Sequence, residues 1–282
     1  MLAFRRLRYS QRVLEMLRQL ASDSYLLTRA CGPTVTARWL QAIAWNLPAC
    51  LRAHSLSPAD EAVGEGPFRA RRGGVRAGLT GSCVMGGIRE IWVRDVYLGG
   101  GFLEINDGDV VVDLGCNVGN FTTLALAHSP NVRVVSVDAN PMFRDAIAKN
   151  LALNGWSGRL EFVNAFIGGS TNAQVKMRSE PDIAGVPTIS ASEFVEHYKL
   201  DRIQFLKCDI EGSEFELFGS DSLLLERTDQ IAMEVHHMSG DGNGLMAHIA
   251  SLGFETKVSR TSGTESIFLA RRSRFAQKRG MA

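Results

Sequence analysis

Four short stretches hold the residues able to do chemistry. FLKCDIEGSE, residues 205–214, ends an apolar run in Asp209 and Glu211 just before Gly212, and AMEVHH, 232–237, ends another in Glu234, His236 and His237. VVDLGCNVGNF, 111–121, sets Asp113 before Gly115 and Gly119, and VVSVDANP, 134–141, closes on Asp138 about 25 residues after the first motif. Clustered carboxylates and imidazoles can take a proton from a hydroxyl or share a divalent ion. A glycine-shaped turn followed by a later acid suits a cofactor whose ribose offers two hydroxyls.

Such residues work together only if secondary structure brings the four ends to one place. From Asp107 onward, strand and helix patterns alternate: strand DVVVDLG, helix GNFTTLALAH, strand VRVVSVDAN, then helix PMFRDAIAKNLALNG, opened by Pro141 and closed by Gly155. Strand RLEFVNAF, a polar insertion over 168–187, helix SASEFVEHY and strand IQFLKCD follow. Helix SEFELFGSDSLLLE, strand QIAMEVHH, helix GLMAHIASLG and strands ETKVSR and SIFLARR complete the set. Apolar strands without alternation, separated by helices, predict an α/β fold with a doubly wound, mostly parallel seven-stranded sheet covered on both faces. Ligands in such sheets sit beyond the carboxyl ends of the strands, where all four stretches end.

The first turn reads D-x-G-x-x-x-G, not the G-x-G-x-x-G of a dinucleotide site, which counts against a nicotinamide oxidoreductase of the same architecture. A non-catalytic binding protein of this fold would be expected to lose the acids and histidines of the last two stretches, and this chain keeps them. Asp113, Gly115, Gly119 and Asp138 at consecutive strand ends resemble the S-adenosylmethionine site of class I methyltransferases. DVVVDLGCNVGNFT, VVSVDANP, EFVNAFIGG, VPTISASEF, FLKCDIEGSEFELF and AMEVHH occur in the order seen in the FkbM family of S-adenosylmethionine-dependent O-methyltransferases. The chain resembles that family over roughly residues 88–260, above all in the run of Lys207, Asp209, Glu211 and Gly212; Cys116 and Cys208 stand where Ala and an aliphatic residue are expected.

The resemblance implies a class I fold and methyl transfer to a hydroxyl of a small metabolite, such as a sugar, a glycosylated compound or a polyketide. It places Asp113, Gly115, Asn117 and Gly119 at the methionine end of the cofactor, Asp138 and Ala139 at the ribose, Asn164 and Ala165 at the adenine, and Glu90 and Tyr97 over the site. A hydroxyl keeps its proton far above neutral pH, so the acceptor needs a base, a Lewis acid or both. Asp209, Glu211, His236 and His237 are the expected catalytic residues. Alternation puts Glu234 and His236 on one strand face, and neighbouring strands lie ~4.8 Å apart, so Asp209, Glu234 and His236 are expected to share a divalent ion, magnesium or manganese. A plainer reading has Glu211 and Glu214 capping the following helix. NPMF, 140–143, looks like an amino-methylating motif, but it follows the second strand, and Pro141 reads as a helix start.

Composition bounds the rest. The 282 residues carry a net charge of +1, with 45% hydrophobic content and five scattered cysteines without C-x-x-C spacing, which argues against disulfides and zinc and for reduced thiols in a cytoplasmic protein. Twelve arginines against five acids in the first eighty residues read as solvated helix faces, and no nucleic-acid partner is expected. MLAFRRLRYS is not followed by a signal-peptide core, and no apolar run reaches the ~18 residues of a membrane span. Val13, Leu14, Leu17 and Leu20, then Trp39, Leu40, Ile43 and Leu47, have helical spacing. Residues 1–65 are therefore expected to form a helical accessory region, serving acceptor selection or self-association, ahead of a catalytic domain over 66–282.

Overall fold

The computed structural model describes residues 18–169, 171–220 and 223–272. Of the expected first helix, Val13, Leu14 and Leu17 lie outside the described residues. Helix α1 spans 18–31, followed by α2 (Pro33–Trp45), α3 (Leu47–Ala53) and α4 (Ser57–Ala62), each of the last three with a proline in its first turn. The glycine-arginine stretch is a hairpin, β1 (Phe68–Arg72) and β2 (Val75–Leu79), with Arg72 opposite Val75 across Gly73 and Gly74. A short α5 (Val84–Gly87) runs into a π-helical turn, Ile88–Val93.

The sheet follows as β3 (Val110–Leu114), α6 (Asn120–His128), β4 (Arg133–Asp138), α7 (Met142–Leu153) and β5 (Glu161–Asn164). The insertion is flanked by a two-stranded pair, β6 (Phe166–Ile167) with β7 (Thr188–Ile189), and carries α8 (Asn172–Met177), which Thr171 caps. Helix α9 (Ala191–His197) starts in a capping box of Ser190 and Glu193. Then come β8 (Phe205–Cys208), α10 (Glu214–Ser220), α11 (Leu223–Arg227), β9 (Gln230–His236), α12 (Gly242–Ser251), β10 (Phe254–Ser262) and β11 (Glu265–Arg272).

The seven strands lie in the order β10-β11-β9-β8-β3-β4-β5. β9, β8, β3, β4 and β5 pair parallel, while β11 runs antiparallel to both its neighbours. This mostly parallel α/β sheet with one reversed strand near its edge is the class I methyltransferase architecture. The carboxyl ends of β3, β4, β8 and β9 therefore share one edge.

Two apolar layers cover the sheet. One face packs Val112, Leu114, Leu206, Phe218 and Met233, and the other packs Val111, Phe121, Phe205 and Leu269 in a cluster that extends to Leu27 and Trp39 of the amino-terminal helices. Arginines in that region tie elements together. Buried Arg89 pairs with Asp60 and lies 3.1 Å from Asp23, Arg94 reaches Asp23 at 2.5 Å, and the indole of Trp39 donates to Asp60 at 2.8 Å. Burying those charges is costly unless each is paired, so the network fixes where α1 and α4 sit on the 88–94 turn.

Candidate active site

The end of β3 and the end of β8 nearly touch. Gly115 adopts φ 70°, and a Cβ there would run into the carbonyl oxygen of Asp209, so only glycine permits the approach. The Gly115 and Cys116 amides donate to the Val137 carbonyl at 2.9 and 3.1 Å, and the Asp209 amide donates to Leu114 at 3.0 Å. The ladders thus continue past the strands and lock three loops together.

Above them lies a cavity of about 290 Å³ whose walls include Gly115, Asp138, Ala139, Phe143, Ala165 and Asp209. Asp138 stands in it with each carboxylate oxygen accepting one backbone N–H, from Asn117 and from Asn140, both at 2.9 Å. Burial raises the Asp138 pKa against the pull of those two amides. Each oxygen keeps a lone pair for a further donor.

A second cavity of about 150 Å³ shares Gly115, Asn117 and Asp209 with the first and adds Glu90, Tyr97 and Lys207. Lys207 is buried, donates to the Leu114 and Gly115 carbonyls at 3.2 and 2.6 Å, and lies 3.3 Å from Asp113 and 3.9 Å from Asp209. Burial alone would depress its pKa, but Asp113 and Asp209 overcome that and raise it, so it stays an ammonium. The Tyr97 hydroxyl donates to Asp209 at 3.4 Å, and burial, followed by the surrounding carboxylates, keeps that phenol neutral.

Next to Asp209, the fully buried Glu214 organises the end of β9. One of its oxygens accepts from the His236 backbone amide at 2.7 Å and from ring Nδ1 at 3.1 Å, and the other accepts from the Gly212 amide at 2.8 Å. The Nδ1 contact fixes the ring and leaves Nε2 3.6 Å from the exposed Glu211 carboxylate. Glu211 itself has φ 54°, a left-handed conformation that costs a non-glycine residue ~1 kcal/mol or more. Burial opposes a charged His236, but Glu214, Asp209 and Glu211 outweigh it and lift the ring to about 9. Glu234 is pushed up to about 8, first by burial and then by Asp209, Glu90 and Glu265.

Residues 113–256 match the Methyltransferase FkbM domain, over half of the chain. The chain belongs to the FkbM methyltransferase family. It is also similar to the hexuronic acid methyltransferase AglP of Haloferax volcanii, 24% identical over 181 residues, or 60% of this chain and 73% of that one. Among solved structures it is similar to the precorrin-6y C5,15-methyltransferase of Geobacter metallireducens, with TM-score 0.42 and 16% identity over 64% of this chain and 87% of that one. The amino-terminal domain of human METTL16 in complex with SAH gives 0.44 and 12% over 70% and 75%.

Within this FkbM chain, Asp209, Glu211 and His236 come together, each offering a ligand atom within 4.8 Å of the others, and Glu234, His236 and Glu265 do likewise. Among the described residues, the combination expected from sequence, Asp209 with Glu234 and His236, is divided between these two groups. His237 points the other way, its Nε2 2.9 Å from the Ser266 hydroxyl. Asn164 does not line the cavity over Asp138; its amide donates to the Asp138 and Ala139 carbonyls at 3.0 and 2.8 Å, while Ala165 forms the wall. Asp113 is fully buried, spent on Lys207 and on the Thr122 hydroxyl at 2.7 Å. Gly119 begins α6 against Ile147, outside both cavities. Glu90 borders the second cavity and lies 3.4 Å from Arg260.

Sequence reasoning gave Lys207 and Glu214 no role in the site, although both lie inside the stretch it singled out. Glu265 became visible only through pairing, opposite His236 on β11.

Proposed function

We propose that this methyltransferase uses S-adenosylmethionine and transfers the methyl group to a hydroxyl of a small sugar-type acceptor. Asp209 carries this reading, because it belongs at once to the cofactor-sized cavity, to the smaller cavity beside it and to the carboxylate–histidine cluster. The residues present fit the cofactor. Asp138 has lone pairs for a ribose, the cavity beside it has apolar walls at Ala139, Phe143 and Phe166, and the buried Asn120 oxygen on the smaller cavity has no donor among the described residues. When bound, S-adenosylmethionine supplies a methyl group already attached to a good leaving group.

The chain's own work is then to position the acceptor and take its proton. Neutral His236 accepts the hydroxyl proton at Nε2 while Glu214 holds Nδ1, and Asp209, braced by Tyr97 and Lys207, orients the acceptor. With the ring lifted to about 9, turnover rises with pH across the neutral range, because only the neutral ring is a base. The acceptor approaches from the side of the amino-terminal helices. A polar cavity of about 470 Å³ there is lined by His54, Ser57, Arg94 and Arg260, and it shares Glu90 with the smaller cavity. A β-bulge between Val258 and Arg260 re-aims the strand at this point. AglP is a hexuronic acid methyltransferase, and a hexuronic acid is a polar acceptor of this kind.

The experiment is transfer of labelled methyl from S-adenosylmethionine to a panel of sugars and hexuronates. Asp209→Asn and His236→Ala are expected to abolish turnover while binding S-adenosylhomocysteine about as well as wild type; wild-type turnover in either variant contradicts the assigned roles. The grouping of Asp209, Glu211 and His236 favours a second reading, in which they hold a divalent ion that polarises the acceptor oxygen. Full activity in excess EDTA, with no metal in the purified protein, excludes it.

A further inference from the structure

The cavity that takes the cofactor in the reading above has a floor of backbone and one polar side chain with an unmet need. Asn164 lies outside this cavity with its Nδ2 on the Asp138 and Ala139 carbonyls, and the Asn140 oxygen already accepts from the Met142 amide at 3.0 Å, which leaves that side chain mainly a donor. Gln174, 3% exposed, lines the same cavity from α8. Its Nε2 donates to the Ile167 carbonyl at 3.3 Å, which fixes the orientation of the amide. Its Oε1 is buried and has no donor among the described residues. A buried acceptor left without a donor is expensive, and a ligand that supplies one recovers that cost on binding.

The surroundings of Gln174 are those of a base slot. Ala139, Phe166, Ile183 and Met177 form a small apolar cluster separate from the two main layers, and all four line the cavity. Met177 and Ile183 come, like Gln174, from the polar insertion between β6 and β7, which contributes no strand to the main sheet. The insertion thus supplies an apolar wall for a flat ring and one acceptor oriented at its edge.

We propose that the insertion over 168–187 is a nucleobase-recognition element, in which Gln174 Oε1 accepts a hydrogen bond from the exocyclic amine of the cofactor's adenine. This rests on the reading of the cavity as the S-adenosylmethionine site. An amine is selected over a carbonyl at that position, because two acceptors facing each other leave both unpaired.

The test is isothermal titration of the whole protein with S-adenosylhomocysteine and with S-inosylhomocysteine, which carries a carbonyl in place of the amine. Wild type is expected to prefer the adenine compound by about tenfold or more, in line with the usual penalty for one unpaired buried group. Gln174→Met, similar in length but unable to accept, is expected to lose most of that preference by weakening the adenine compound alone. Equal affinities in wild type, or an unchanged preference in a Gln174→Met protein whose circular dichroism is native, overturn the assignment. The wild-type comparison decides the matter even if the variant does not fold. Failure of wild type to bind either compound refutes the reading of the cavity itself, and the Gln174 assignment with it.

Discussion

Asp113 was expected beside the cofactor, and instead its carboxylate lies fully buried under the site, 3.3 Å from the ammonium of Lys207. The motif residue and the residue that touches ligand are therefore different: Asp113 holds Lys207, Lys207 holds the Leu114 and Gly115 carbonyls, and those carbonyls shape the cavity floor. Removing one member of a buried pair leaves the other charge uncompensated, so Asp113→Asn is expected to destabilise the fold by ~3 kcal/mol in urea titration. A loss below about 1 kcal/mol would show that the pair is dispensable. The adjacent histidines make a similar point. Alternation along β9 separates His236 from His237, and that period was legible in AMEVHH; applied strictly, it would have excluded His237. Glu214, by contrast, reads from sequence as a helix-start acid, and only the fold brings it beneath His236.

Among the elements, the strand ends were legible because apolar runs closing on Asp113, Asp138, Asp209 and Glu234 to His237 are where a doubly wound sheet delivers side chains to one edge. The insertion was not, since its polar composition carries no period, and its role depends on β6 and β7 closing it back over the cavity. The expected ligand set is regrouped in the structure for a related reason. Reasoning along β8 and β9 paired neighbours by strand spacing, whereas the antiparallel β11 brings Glu265 opposite His236 and draws Glu234 into a different group. The loop between β8 and α10 carries its own strain at Glu211, so Glu211→Gly is expected to leave thermal stability unchanged or raise it while turnover falls severalfold. Turnover equal to wild type would identify Glu211 as a bystander.

Over the whole molecule, the active edge holds more negative charge than it can neutralise by itself. Both Glu234, raised to about 8, and His236, raised to about 9, bind protons more tightly folded than unfolded. Their stabilising contributions are thus complete at acid pH and are lost as pH rises, for Glu234 from its ordinary range up to about 8 and for His236 from its ordinary range up to about 9. In EDTA and without cofactor, the melting temperature is expected to fall between pH 6.5 and 9, and Glu234→Gln to flatten the lower part of that fall. A melting temperature that rises over the same interval would contradict the electrostatic account. The amino-terminal helices belong to the same molecule-wide picture: Asp23 of α1 and Asp60 of α4 hold Arg89 and Arg94 of the turn that follows them. No helix among the described residues is long and apolar enough to cross a membrane.

The assigned roles of Asp138, Asp209, His236 and Gln174 depend on the cavity over Gly115 and Asp138 being the cofactor site. Isothermal titration of the purified chain with S-adenosylhomocysteine tests that most directly. One site per chain is expected in wild type, with at least a tenfold loss of affinity in Asp138→Ala, whose ribose contacts would be gone. No binding by wild type, or equal binding by the variant, would contradict it.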